Sequence, residues 1–122
     1  MKQLEHDLLT NKYTEVWVED EFTNNAPHRF TVVESGYGFG DSVEKLADIH
    51  FQEGPIKGAG VNGVMNEDLI AMVICRLEHF QESKFACYEN DLAIVKLEEA
   101  LLWLRKRTMG RESRNVEGTH TV

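Results

Sequence analysis

Arg105, Lys106 and Arg107, followed by Arg111 and Arg114, place five cations within ten residues near the end of the chain. An arginine guanidinium is a planar fork of N–H donors that meets phosphate oxygens with paired hydrogen bonds, so such a tract suits a small phosphorylated ligand. The same composition also suits a helix C-terminus, where cations offset the negative end of the helix dipole without binding anything. The surrounding charge narrows the choice of ligand. Residues 105–122 carry five Lys/Arg against two Asp/Glu, a local +3, whereas residues 1–104 carry eight against nineteen, or −11. A field of that sign repels a DNA or RNA polymer, while a compact phosphate compound is screened by salt from the distant acidic surface.

Other chemistry is sparse. His6, His28, His50, His79 and His120 are scattered, with no G-x-S-x-G nucleophile setting and no H-E-x-x-H zinc motif. Glu98 and Glu99 are adjacent, which on a helix turns their carboxylates about 100° apart rather than across a substrate. Cys75 and Cys87 stand twelve apart without paired histidines, so neither a zinc site nor any other cofactor is expected. Cys75, in an apolar helical segment, is expected to be a small core residue, and Cys87 to lie in a loop. Gly58-Ala59-Gly60-Val61-Asn62-Gly63 matches G-x-G-x-x-G, but no second parallel strand follows it and the chain is too short for a dinucleotide fold. A flexible turn is the expectation there. A binding protein is therefore preferred over an enzyme.

Positioning the basic tract requires elements, and these fall in the order strands, then helices. With 122 residues and 42% hydrophobic content, one domain spanning 1–122 is expected, with a β-rich part over 1–62 and a helical part over 63–122. Glu15–Val18 alternates acidic and apolar residues; Thr23–Pro27 breaks the pattern; Arg29–Val33 resumes it with Phe30 and Val32 on one face. Gly36–Asp41 is too glycine-rich for a strand interior. Leu46–Gln52 is the next strand, and Ile56–Val61 a short further edge. The fold class is α+β, a small N-terminal antiparallel β-sheet followed by a long antiparallel two-helix hairpin. Asn66 is the expected N-cap of a helix running to about Gln81, with Leu69, Val73, Leu77 and Phe80 on one stripe that Ile70, Met72 and Ile74 widen. Asn90 is the expected cap of a second, from Leu92 to about Arg107, with Ile94, Leu97, Leu101 and Leu104 on its stripe. Val95, Leu102 and Trp103 widen that face beyond what one neighbouring helix covers, so the sheet or another subunit must pack there. Two helices of about 15 residues span about 23 Å each, which puts Phe80 and Asn90 at one end and Arg107 and Arg111 at the other. A partner chain is needed to bring the two sets together. No run of about 18 apolar residues exists to span a bilayer and the N-terminus lacks a secretory apolar stretch, so a cytoplasmic protein without membrane contact is expected.

Five short motifs then occur in order: Val61-Asn62-Gly63-Val64-Met65-Asn66-Glu67-Asp68-Leu69; Arg76-Leu77-Glu78-His79-Phe80-Gln81; Phe85-Ala86-Cys87 with Glu89-Asn90; Lys96-Leu97-Glu98-Glu99-Ala100-Leu101 with Arg107-Thr108; and Val116-Glu117-Gly118-Thr119-His120. Over about residues 46–120 the chain resembles the Thoeris anti-defence sponge family of phages, and its hairpin looks like the related phage sponge that counters CBASS immunity. The resemblance implies a protein of the bacterial host cytoplasm that binds, without cleaving, the cyclic ADP-ribose isomers (1″-2′ and 1″-3′ glyco-cyclic ADP-ribose) made by bacterial TIR enzymes. It implies a ligand pocket of Phe80, Asn90, Arg107 and Arg111. In that pocket Phe80 stacks an adenine, Asn90 reads the base edge, and the two arginines, one helical turn apart, meet the diphosphate. It also implies homodimers and homohexamers, the latter with a second kind of pocket for cyclic di- or trinucleotides.

Asn115 departs from the family, which commonly has Gly there; Asn is the next most tolerant residue of a left-handed backbone. The first 45 residues match no motif, and Trp17 and Arg29 are only candidate additions to a pocket. The competing class is an oligomeric helical hairpin with a protein partner, and a nucleotide-processing enzyme comes third.

Overall fold

A computed structural model describes residues 1–122, which fall into two compact units, Met1–Val64 and Met65–Val122. In the first, β1 (Lys2–Gln3), β2 (Thr14–Val18), β3 (Arg29–Glu34) and β4 (Lys45–His50) form an antiparallel sheet in chain order. Each strand pairs with its successor, as short connections favour. Val16 lies opposite Val32, and Val18 opposite Phe30, which sets Phe30 and Val32 on one face as their spacing predicts. Thr31 and Val33, on the other face of β3, are the most buried side chains, with Val18 close behind. The glycine-rich segment is the loop between β3 and β4, and its Phe39 ring sits 6.1 Å from Trp17.

Side chains close the sheet's ends. Glu19 Oε2 accepts the backbone N–H groups of His28 at 2.8 Å and Arg29 at 2.7 Å, and the His28 bond is the main reason its carboxyl lies below the usual value. The turn it spans contains Asn24 and Asn25, both at positive φ, a conformation that asparagine tolerates better than most residues.

Two expectations for this unit need correction. The strand expected over Leu46–Gln52 starts and stops earlier, and Ile56–Val61 is no edge strand. Pro55, with φ already near the helical value, sits at the N-cap of a one-turn helix, α1 (Ile56–Ala59). The chain then returns along β4. Val64 pairs in parallel with Phe51, Val64 N donates to His50 O, and Gln52 N donates to Val64 O, each at 2.8 Å.

The G-x-G-x-x-G stretch is consumed by this return. Gln52 Nε2 donates to Gly54 O and Gly60 O, Gln52 Oε1 accepts Asn62 N, and the Asn62 amide bonds both the N–H and the carbonyl of Glu53. Gly63 passes so close to β4 that an added Cβ would lie 2.5 Å from His50 O and from the Phe51 carbonyl. Those are backbone atoms and cannot swing away. Gly63→Ala is expected to cost roughly 1–3 kcal/mol through overpacking, read as a lower midpoint in urea at unchanged slope; Gly58→Ala, which meets open space, is the control and should leave the midpoint nearly fixed.

In the second unit, α2 (Asn66–Gln81) and α3 (Tyr88–Ser113) pack on each other as a hairpin with a six-residue loop. Neither expected asparagine is the cap. Met65 occupies the N-cap of α2, where Asp68 of the first turn accepts the Met65 N–H at 2.8 Å. Cys87 occupies that of α3, so Asn90 falls inside the first turn. Of the apolar face expected on α2, Ile74 from its widened edge is the one buried residue, while Val73 of the central stripe is 47% exposed and Met72 60%. Cys75 is exposed, not core, because it follows Ile74 by about 100° around the helix.

Candidate functional site

The hairpin loop carries one set of candidate residues. Phe80, next to last in α2, is 36% exposed and has the Arg76 guanidinium 5.1 Å from its ring centroid. Asn90 is half-buried, and its amide makes no hydrogen bond within the chain. Between them lies a residue that sequence reasoning passed over. Gln81 Nε2 donates to Cys87 O at 2.7 Å and Asp91 Oδ1 at 2.8 Å, and Gln81 Oε1 accepts Cys87 N at 3.0 Å. One side chain therefore locks the entry to α3 and holds the first turn that carries Asn90. Ser83 tightens the loop further by donating to Phe80 O and accepting Phe85 N. Gln81→Ala is expected to destabilise the hairpin by roughly 0.5–1.5 kcal/mol, the net worth of a hydrogen bond whose partners, here the exposed Cys87 and Asp91, can turn to water instead; hydrogen exchange should quicken first at residues 82–91. Unchanged exchange there would show that the lock is redundant.

The basic tract lies within α3, not after it, because the helix continues to Ser113. Its end is a Schellman turn. Asn115 N donates to Glu112 O and Val116 N to Arg111 O, with Asn115 at φ 60° in the left-handed position that glycine usually fills. The departure at Asn115 thus keeps the turn, as its tolerance of that backbone predicts.

The turn sorts the cations. Arg111 is half-buried and donates through Nη2 to Val116 O at 3.0 Å and Thr119 O at 3.1 Å, so it ties down the Val116–His120 motif. Arg105 pairs with Glu112 through two contacts of 2.9 and 3.4 Å, and Arg114 donates to Val122 O. Lys106 Nζ lies 5.0 Å from the centroid of the Trp103 ring. Arg107 is exposed and has no hydrogen-bond or ion-pair partner in the chain.

Helical rise separates Asn90 from Arg107 by about 26 Å and from Arg111 by about 32 Å. One hairpin therefore carries Phe80 and Asn90 at its loop end and Arg107 and Arg111, one turn apart, toward the other, but does not bring the two pairs together. Of the earlier additions, Trp17 Nε1 bonds Glu15 and its ring packs toward Phe39, while Arg29 is an exposed residue at the start of β3. No group of three or more His, Cys, Asp or Glu side chains converges as a metal site. No helix is long and apolar enough to cross a membrane.

Comparison with known proteins agrees with this architecture. The Acb2/Tad1 hairpin-domain family model matches residues 32–109, from β3 through most of α3. The protein named Thoeris anti-defense 1 of Bacillus phage SBSphiJ7 is 51% identical over 140 aligned positions, which cover 98% of this chain and 99% of the relative. At that coverage the match takes in nearly all of the first 45 residues, where no motif was legible. The chain belongs to the Acb2/Tad1 hairpin family of Thoeris anti-defence sponges.

Proposed function

We propose that this protein is a phage sponge that binds cyclic ADP-ribose isomers, the 1″-2′ and 1″-3′ glyco-cyclic forms, and holds them uncleaved in the host cytoplasm so that the Thoeris effector never receives its signal. The observation that carries this reading is Arg107, an exposed guanidinium about two turns before the end of α3 with every donor unspent. A half-exposed ring at Phe80 and an unbonded amide at Asn90 supply what an adenine needs, a stacking face and a two-sided edge reader.

The pocket is completed between protomers. Phe80 and Asn90 of one chain face Arg107 and Arg111 of another in a homodimer, and hexamers add a pocket for cyclic di- or trinucleotides. The apolar surface left on α3, with Leu92 at 45%, Val95 at 58% and Leu102 at 65% exposure, supports such association, because a lone hairpin would leave it in water.

Incubation with a cyclic ADP-ribose isomer tests the reading. The nucleotide should vanish from the filtrate and return at its original mass after heat denaturation. A changed mass would make the protein an enzyme; no depletion would favour a hairpin that serves a protein partner instead.

A further inference from the structure

Three of the five cations in the basic tract are committed inside the chain: Arg105 to Glu112, Arg111 to the carbonyls of Val116 and Thr119, and Arg114 to that of Val122. The two that remain, Lys106 and Arg107, have no carboxylate partner, and both flank the same side chain. Trp103 lies three residues before Lys106 and four before Arg107, the two spacings that place neighbours on one side of a helix. Its indole is 59% exposed, and Lys106 Nζ stands 5.0 Å from the ring centroid. A large aromatic ring bordered by two unneutralised cations is the composition that nucleotides select: the ring offers a face for a base and the cations a seat for phosphates.

We propose that Trp103 contacts the ligand of the nucleotide site, with the adenine packed on its indole while Arg107 and Lys106 take the diphosphate. This rests on the sponge reading and extends it. Phe80 belongs to the far end of the hairpin, so in a dimer the base would lie between two rings from different protomers. Trp103 would then supply the wall that travels with the phosphate-binding end.

The experiment uses the full chain and 1″-3′ cyclic ADP-ribose as probe. Tryptophan fluorescence of the unmodified protein should quench saturably as the nucleotide is added, and the quench should be absent in Trp103→Phe, which keeps Trp17 as its only indole. Trp103→Ala should weaken binding about 5- to 150-fold, the loss expected for one stacked ring, and Trp103→Phe much less, with the mass of the assembly unchanged in both. Binding by Trp103→Ala within twofold of the parent, or a quench that persists in Trp103→Phe, overturns the inference. So does a fall in assembly mass that tracks the lost binding, since the indole then belongs to the interface between chains. The two levels separate cleanly: an unmodified protein that depletes no nucleotide defeats the sponge reading, whereas depletion undiminished by Trp103→Ala defeats only the role of Trp103.

Discussion

Arg107→Ala is expected to weaken capture of the cyclic ADP-ribose ligand by roughly 2–5 kcal/mol, the range for removing one partner of a desolvated charged contact, while the ligand-free melting temperature stays close to that of the parent. The two halves of this expectation have separate causes. Arg107 is exposed and bonds nothing in the chain, so its truncation leaves no orphaned group and should move stability by no more than about 0.5 kcal/mol. In the proposed complex the same guanidinium meets a diphosphate away from water, where one lost fork leaves phosphate oxygens unpaired. Arg107→Lys keeps the charge but not the planar pair of donors, and should fall between the two. Calorimetric titration beside a thermal melt measures both quantities. If Arg107→Ala lowered the melting point as far as it lowered affinity, the arginine would be structural and the pocket would lose its main anion contact.

The order of elements was legible because apolar periodicity carries it. Val16, Val18, Phe30 and Val32 alternate as a half-buried sheet requires, and Leu69 to Leu77 and Ile94 to Leu104 repeat at helical spacing. Boundaries were less legible where the stabilising partner is remote. Asn66 and Asn90 are good caps by residue type, yet Asp68 and Gln81 bond the backbone at Met65 and Cys87 and shift each start outward. At the far end, the helix expected to stop at about Arg107 runs on to Ser113; the true stop is Asn115, whose left-handed backbone closes the turn.

The candidate site was legible in kind but not in state. Arg107 and Arg111 differ by one turn and are equivalent by composition. What separates them is the chain that follows: the turn at Asn115 carries Val116 and Thr119 back within reach of Arg111 and leaves Arg107 bare. Gln81 ends the second of the five motifs, but no role was read for it there. The available signal was a lone amide at the end of an apolar helix, close in sequence to a loop whose backbone groups needed partners.

Arg111→Ala is accordingly expected to give two losses where Arg107→Ala gives one. Removing the guanidinium leaves two carbonyls without their charged donor and should cost roughly 1.5–3 kcal/mol of stability, with faster hydrogen exchange over residues 116–120. Ligand capture should fall by roughly 2–5 kcal/mol as well if Arg111 also reaches the diphosphate. These losses can be parted at Asn115. Asn115→Val puts a β-branched residue where φ is +60°, which unlatches the turn but keeps the arginine. If Asn115→Val melts like Arg111→Ala yet captures ligand like the parent, Arg111 binds phosphate directly and the tail merely stores it. If both variants lose capture equally, the tail aims the arginine, and the Val116–His120 motif is part of the binding machinery. Should Arg111→Ala melt early and still capture the nucleotide at full strength, Arg111 is a clamp alone, and the phosphate is left to Arg107 and whatever stands beside it on α3.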